Sequence, residues 1–593
     1  MRFFLGCILA IALSVLPAST TAGTGANNGS SDAKSTTASE TKTSPETPAR
    51  ADASAEPAKS NLDLEIEELR DQLQAQSELI KQQQNRVQAL EEQLKASSSG
   101  REALSASPAA TPGSAVSSSA PAAAVNVVPA SATIAALSPA PTPATPQASN
   151  AVPESPLQLR IGTAYITPVG FVDFTGVWRS HDGGSGIGTN FAGIPYGTVF
   201  QNNLSEFRFS MQNSRIGFRV DALVKGAHVI GYMEADFLGN NPGNVAVSSN
   251  SNTLRSRLYW VDVRKGAWEV LGGQTWSLIT PGRTGISPLP GDLFYSQDID
   301  VNYQAGLVWG RIPELRLVYH ASPKVALAAA LDAPEQYVGG SAGGPQIVLP
   351  AAFVAANQFS LTATSGVEFN NGQNVLTTPN VAPDVIVKLA VDPSPKFHFE
   401  VGGVERQFKL WNPTTLTKLS STGAGGFVNL GVQLFKGFRL LTNNYYSDGG
   451  GRYIFGQVPD FVLRTDGSPS PLHAASTVSG FEYTHGNSFF YAYYGGIYVL
   501  PDVITDTTGK LVGYGFAGGP SSQNRTIQEG TLGFNQTMWK DARYGALNLM
   551  GQYSYLTRNP WSVAAGAPRS ALLNMVFLNL RYTLPGGAPN LER

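Results

Sequence analysis

Charged or polar side chains alternate with apolar ones in three neighbouring runs of this sequence. The first run sets charged against apolar residues: Arg215, Arg219 and Asp221 against Ile216, Phe218 and Val220. The second sets polar against apolar residues: Tyr232, Glu234 and Asp236 against Met233, Ala235 and Phe237. The third follows the same pattern: Arg255, Arg257 and Tyr259 against Leu254, Leu258 and Trp260. Because successive side chains of a strand point to opposite faces, each run is predicted to have one ionic and one apolar face.

The chemistry that such ionic faces support is the reversible binding of carboxylates. A guanidinium group stays charged and offers a planar fork of donors that matches a carboxylate, and rings or ladders of arginine select anions. We expect the following residues to line a pore and bind solute: Arg208, Arg215, Arg219, Glu234, Asp236, Arg255, Arg257 and Arg283. The alternative is that these charges pair across neighbouring strands and solvate a generic lumen.

A second candidate site is the long connection at residues 277–297. Several prolines and glycines within it forbid a long regular strand, and structureless loops of about 20 residues are uncommon unless they are functional. If the connection folds inward, Arg283, Asp292 and Asp298 would lie at or near a constriction. The alternative is an external loop that covers the barrel or packs at a subunit contact.

Strands with one apolar and one ionic face need a fold that keeps the apolar face out of water and the ionic face out of lipid. The chain has 593 residues, of which 42% are hydrophobic and 14% charged, whereas soluble proteins have about 25% charged residues. After the N-terminus no run reaches the ~18 apolar residues of a membrane helix. A closed barrel is then the spanning structure that satisfies its backbone in lipid. The sequence predicts an all-β fold, a transmembrane antiparallel β-barrel of about 16 strands over residues 157–593.

The N-terminus has the features of an exported protein. Arg2, an apolar stretch and a small-residue cleavage site predict a signal peptide at residues 1–22. Its removal would take away Cys7, the single cysteine, so the mature chain would have no disulfide. Residues 23–61 lack apolar periodicity and are predicted to be disordered.

Residues 62–95 carry a heptad pattern that predicts an α-helical coiled coil. The predicted core residues recur at alternating spacings of three and four: Leu62, Ile66, Leu69, Leu73, Gln76, Ile80, Gln83, Val87, Leu90 and Leu94. Self-association is expected, although the heptad pattern alone does not give the number of chains. Residues 96–156 form an Ala/Pro/Ser-rich linker that is predicted to be disordered and extended. In a Gram-negative bacterium the barrel would lie in the outer membrane, with the coiled coil in the periplasm.

The distribution of histidines argues against enzymatic activity. The six histidines are scattered, with neither the partners of a nucleophile–base pair nor the spacing of a metal pair. No phosphate-binding glycine loop occurs. We therefore expect no enzyme, no metal and no cofactor. The formal net charge of −2 gives no support for a nucleic-acid partner.

The order of the parts and several short motifs resemble the DcaP-type family of trimeric outer-membrane porins. The motifs that carry the resemblance begin at Ser214, Arg255, Gly272 and Leu331 and include the apolar closing strand. The resemblance implies a homotrimer in outer-membrane lipid, tied together by the coiled coil. It also implies passive channels for small anionic solutes such as dicarboxylates. The alternative function is a structural anchor whose barrel tethers a periplasmic coiled coil to the cell wall.

Overall fold

The computed structural model describes residues 156–586, except 185, 240–251, 294–296, 340–346, 356–379, 413–414 and 456. The predicted signal peptide, disordered segment and coiled coil lie outside the described residues, as does the linker except for Pro156. Among the described residues, no helix is long and apolar enough to cross a membrane. Helical structure there includes one short α-helix, α1 (Ala351–Ala355), and 3-10 turns such as Phe200–Asn203 and Pro290–Asp292.

Antiparallel strands make up most of the described chain. The first half contains β1 (Leu159–Ile161), β2 (Ala164–Arg179), β3 (Glu206–Ser210), β4 (Arg215–Val224), β5 (Ala227–Asp236), β6 (Arg255–Lys265), β7 (Trp268–Trp276), β8 (Arg311–Ser322), β9 (Val325–Asp332) and β10 (Asp384–Ser394). The second half contains β11 (Phe397–Asn412), β12 (Thr417–Phe435), β13 (Phe438–Asp448), β14 (Phe461–Leu463), β15 (Pro469–Pro471), β16 (His473–His485), β17 (Ser488–Val499), β18 (Asp502–Thr505), β19 (Leu511–Tyr514), β20 (Asn524–Asp541), β21 (Gly545–Pro560) and β22 (Ala571–Thr583).

The long strands close into a barrel with 16 strand positions, in which β3 and β4 together occupy one position. Closure is made by β2, which pairs antiparallel with β22 on one side and with β3 and β4 on the other. The hairpins β14–β15 and β18–β19 form separate two-stranded sheets in the connections. The predicted all-β closed barrel is therefore confirmed.

Short turns join the strands at one end of the barrel and long connections join them at the other. The turn between β4 and β5 has two residues, Lys225 and Gly226, with φ of 48° and 76°. Positive φ at both central residues is typical of a type I′ hairpin turn, whose twist matches that of the strands. The first long strand begins and the last one ends at this short-turn end, at Ala164 and Thr583. The chain therefore enters and leaves the barrel at the same end.

Alternating burial confirms the two faces predicted for the first two runs. Ile216 and Phe218 are 49% and 47% exposed, whereas Arg215 is 4% exposed. Met233 is likewise exposed and Glu234 is buried. Apolar side chains thus cover the outer face of the wall, and ionic side chains point into the barrel.

For the third run, the predicted assignment of faces is wrong. Leu258 and Trp260 are buried on the inner face, whereas Tyr259 is exposed on the outer face, opposite to the predicted arrangement. The pairing of β5 with β6 shifts there, because Arg257 is an extra residue opposite the step from Glu234 to Ala235. Such a β-bulge reverses the alternation beyond it, so that Arg257 and Leu258 both point inward.

Candidate functional site

In the connection between β7 and β8, the described residues 277–293 and 297–310 fold into the barrel, and we call them the inward segment. Many of its residues are buried, including Leu278, Ile279, Tyr303 and Leu307. This decides between the two alternatives that the sequence left open for residues 277–297. The connection contacts the inner wall instead of covering the barrel from outside.

Carboxylates on the wall anchor the first half of the inward segment. The Gly282 N–H lies 3.1 Å from both carboxylate oxygens of Glu400 on β11. The Gly285 N–H donates to Asp392 of β10 at 2.8 Å. The wall therefore holds this part of the segment largely through its backbone.

The side chain of Arg283 adds a charged anchor beside these backbone contacts. It pairs with Glu482 of β16 through two nitrogen–oxygen contacts of 3.0 and 2.8 Å. The hydroxyl of Tyr493 donates to the same carboxylate at 2.9 Å. Arg283 therefore lies inside the barrel, and its charge is compensated by a partner that the sequence did not indicate.

The second half of the inward segment packs against β17, β20 and β21. The Ala305 N–H donates to Glu529 at 2.8 Å, and the Ile299 N–H donates to the side-chain oxygen of Gln552. A Cβ added at Gly495 of β17 would lie 1.9 Å from the carbonyl oxygen of Ala305. Only a glycine at that wall position allows so close an approach.

Five predicted residues on β4, β5 and β6 form one continuous chain of ion pairs, which we call the arginine ladder. Arg215 Nη1 lies 3.0 Å from Glu234 Oε1, and Arg257 Nε lies 2.7 Å from the same oxygen. Arg257 Nη1 and Arg255 Nη2 then share Asp236 Oδ2, at 2.7 and 2.8 Å. Cross-strand pairing, which the sequence left as the alternative, is therefore present in the ladder.

The remaining predicted residues lie apart from the ladder. Arg208 is nearly half exposed and pairs with Glu206 on its own strand at 2.8 Å. Arg219 pairs with Asp221 at 2.7 Å. The structure thus gathers five of the eight predicted site residues into one group, while Arg208, Arg219 and Arg283 each have a separate partner.

Arg311 is the charged residue beside the ladder that sequence reasoning missed. Its Nε and Nη1 atoms are buried and have no hydrogen-bond partner among the described residues. Its guanidinium carbon lies 5.8 Å from the centre of a Trp276 ring. Arg311 is the first residue of β8, where the inward segment ends. In the sequence, the position of Arg311 at the start of β8 indicates a site residue only if the preceding segment is known to lie inside the barrel.

Arg311 leaves the group with an excess of positive charge. Four guanidinium groups, those of the ladder and of Arg311, face the two carboxylates of the ladder. Arg257 Nη2 is also buried without a hydrogen-bond partner among the described residues. Burial raises the pKa of Tyr303, on the inward segment, to about 12, against the opposing influence of nearby arginines. Its hydroxyl is therefore neutral at physiological pH and does not offset the two surplus positive charges.

Elsewhere inside the barrel some charges are paired, and the carboxylates of Glu529, Asp298 and Asp300 lie near one another. Lys388 lies 3.2 Å from Glu400, and Arg581 lies 2.7 Å from Asp173. Within the described part of the chain, no group of three or more His, Cys, Asp or Glu side chains could hold a metal ion. The ladder with Arg311 is thus the arrangement best suited to attract an anion.

Comparisons with known proteins identify the fold. No protein-family model matches the chain, and no curated protein matches it. Among solved structures, the outer membrane channel DcaP of Acinetobacter baumannii is 16% identical, with a TM-score of 0.51 over 71% of this chain and 97% of that chain. An anion-selective porin from Comamonas acidovorans is 12% identical, with a TM-score of 0.39 over 71% and 99% of the two chains. OmpT of Vibrio cholerae is 10% identical, with a TM-score of 0.38 over 72% and 99%. The chain therefore has the fold of the DcaP outer-membrane channel, and at the level of the fold this confirms the resemblance seen in its sequence.

Proposed function

We propose that this chain is an outer-membrane porin of the DcaP type, through which small hydrophilic solutes diffuse down their gradients. The observation that supports it best is the surplus of two positive charges on the inner wall, at the arginine ladder and Arg311. Such a surplus attracts anions, and dicarboxylates are the class that the sequence resemblance implies. The protein is proposed to act without a cofactor and without catalysing a reaction.

The geometry of the ladder suits passage better than tight retention. Glu234 and Asp236 hold three guanidinium groups in fixed positions, so the wall is organised before the solute arrives. The same carboxylates reduce the field that the solute feels, because each partly neutralises its neighbours. An anion would then be attracted by the surplus charge of the group and leave again without a coupled energy source.

The assembly and its orientation are part of the same proposal. Short turns are periplasmic in bacterial outer-membrane barrels. The start of the first barrel strand and the end of the last one would therefore lie on the periplasmic side. The predicted coiled coil of residues 62–95 would then lie in the periplasm, and outer-membrane lipid would cover the apolar face. The resemblance implies that three copies assemble.

The proposal is tested by reconstituting the purified full chain in planar lipid bilayers. We expect stepwise conductance, and in a salt gradient a reversal potential of the sign given by anion preference. Arg543, which is exposed in the turn between β20 and β21, provides the control: an Arg543→Gln variant should keep both properties. Cation preference would contradict the anion assignment while leaving the porin assignment intact.

A structural anchor is the second candidate, because the inward segment and the ladder are so thoroughly buried and paired. In that case the barrel would hold the predicted coiled coil at the membrane and would not conduct. Folded protein that inserts into bilayers but gives no current steps would favour the anchor and contradict the porin.

A further inference from the structure

A polar patch replaces the apolar outer face of the wall at one end of β11 and β12. Three side chains of β11 face three of β12 there: Gln407 opposite Thr422, Lys409 opposite Ser420, and Trp411 opposite Lys418. We call these six residues the lysine patch. Phe408 and Leu410, which alternate with them along β11, are buried on the inner face. The lysine patch therefore belongs to the outer surface of the barrel and not to its lumen.

The lysine patch lies beyond the apolar band, on the side of the long connections. A tilted strand crosses the hydrocarbon in about 9 to 11 residues, and Lys409 is the thirteenth residue of β11 when counted from Phe397 at the short-turn end. On β13, Tyr446 is 53% exposed and pairs with Gly426 of β12, and exposed aromatic residues are typical of the membrane interface. The patch residues of β12 all lie farther from the short-turn end than Gly426. The patch is therefore at the level of the lipid headgroups.

The surface of the lysine patch is concave and basic. Five of its side chains, together with Val381, line a cavity of about 200 Å³. Lys409 and Lys418 are diagonal neighbours across the two strands, a relation that places residues about 7 to 8 Å apart on one face. None of the described residues that line the cavity is acidic. Glu405, the next outward residue of β11, lies nearer the membrane centre. Two ammonium groups, an amide and two hydroxyl groups thus border one concavity.

We propose that the lysine patch binds a phosphorylated glycolipid of the outer leaflet, with a phosphate at Lys409 and Lys418 and a sugar ring against Trp411. Ammonium groups make charge-assisted hydrogen bonds to phosphate, and amide and hydroxyl groups can donate to its remaining oxygens. Trp411 is 40% exposed beside Lys418, so its ring can pack on the apolar face of a sugar. The proposal goes beyond transport. It rests on the outer-membrane location and on the periplasmic placement of the short turns.

The position of the patch favours a glycolipid over a phospholipid. The phosphate of a phospholipid lies next to its acyl chains, at the level of the aromatic girdle, whereas the lysine patch begins beyond that level. The phosphorylated sugars of a glycolipid extend outward from the membrane into this region. A solute that passes through the lumen does not meet the patch, because the patch is on the outer face of the wall.

Lys436 provides a matched control at the other end of β12. It lies in the short turn between β12 and β13 and is exposed, as Lys418 is. The two lysines therefore match in residue type, in exposure and in the strand that they flank. They differ in the leaflet that they face, since the short turns are proposed to be periplasmic.

The experiment measures binding of fluorescently labelled rough-type lipopolysaccharide, which carries phosphorylated sugars, to the purified full chain in detergent. Fluorescence anisotropy gives the dissociation constant, and EDTA is present so that divalent cations do not bridge the two partners. We expect Lys409→Gln with Lys418→Gln to weaken binding by about tenfold or more, and Lys418→Gln alone to weaken it less. Lys436→Gln should bind as the unchanged protein does. Folding of each variant is checked by its heat-modifiable mobility.

The phosphate is tested on the lipid itself. The same lipopolysaccharide after chemical removal of its phosphates should bind the unchanged protein about as weakly as the intact lipid binds the double variant. Three results would overturn the proposal: unchanged binding by the double variant, equal binding of the phosphate-free lipid, or equally effective competition by phosphatidylglycerol. Bilayer conductance of the same preparations is measured separately, so a missing lipid site is distinguishable from a missing channel.

Discussion

Replacing Arg311 separates the electrostatics of the pore from the integrity of its wall. In an Arg311→Gln variant no ion pair described above is broken, yet one of the two surplus positive charges is lost. In an Arg257→Gln variant the charge falls by the same amount, but Glu234 and Asp236 each lose a partner. We therefore expect the first variant to have weaker anion preference and unchanged stability, and the second to have weaker anion preference and lower stability.

The size of the effect follows from Coulomb's law. One unit charge acting on a monovalent anion about 8 Å away contributes about 0.5 kcal/mol in bulk water and about 2 kcal/mol at an effective dielectric constant of 20. Anion permeability should thus fall by roughly twofold to thirtyfold, while the permeability of a cation should rise, because the same charge acts on it with the opposite sign. In Arg257→Gln, Glu234 keeps Arg215 and Asp236 keeps Arg255, so the loss of two buried ion pairs should cost less than the about 3 to 5 kcal/mol of a fully unpaired buried charge.

The assay is the reversal potential across a planar bilayer at low ionic strength, where charges are screened least. The temperature at which the heat-modifiable band unfolds reports stability in the same preparations. An Arg311→Gln channel with unchanged anion preference would refute the assignment of Arg311 to the conducting path. Equal thermal destabilisation by both substitutions would refute the distinction between surplus and paired arginines.

Three further outcomes follow from contacts elsewhere. Gly495→Ala should destabilise the fold by about 1 to 3 kcal/mol through overpacking, whereas Gly431→Ala, with no atom within 4 Å of the added Cβ, should not; equal melting temperatures would contradict this. Glu482→Gln should release a charged anchor of the inward segment and increase the transitions between current levels in single-channel records, and an unchanged record would contradict it. The Thr508 hydroxyl holds the pKa of Asp506 at about 2, below its unfolded value. The ionised Asp506 carboxylate therefore stabilises the β18–β19 hairpin above about pH 4, and this stabilisation is lost as the pH falls toward 2. Hydrogen exchange in the hairpin measures the effect. A rate that stays constant over that range, or that changes equally in Asp506→Asn, would contradict this.

The alternation of side chains was enough to predict the barrel and the inner position of its charges. Arg215 and Glu234 point inward for the reason given from sequence, which is that one face must meet lipid. The alternation failed at Leu258 and Tyr259, because a bulge is a property of pairing between two strands. A single strand read alone carries no sign of it.

The pairing within the site was beyond the sequence for a related reason. Arg257 and Asp236 are 21 positions apart, and whether they meet depends on the register of β5 against β6. Arg311 stands outside the predicted runs and becomes part of the site only because the inward segment returns the chain to the ladder. The fold of a long connection depends on contacts with the whole wall, so the sequence could only pose the alternatives for residues 277–297.

The way the inward segment is held has a consequence for how such a protein can diverge. Wall carboxylates bind the segment largely through backbone N–H groups, as at Gly282 and Ala305, and every residue except proline supplies such a donor. Side chains of the segment that do not pack against the wall, such as the exposed Thr284, are then free to vary in size and charge while the segment keeps its position in the barrel. Selection could thus retune which solutes pass by changing one connection, while the carboxylates of the surrounding strands remain under constraint.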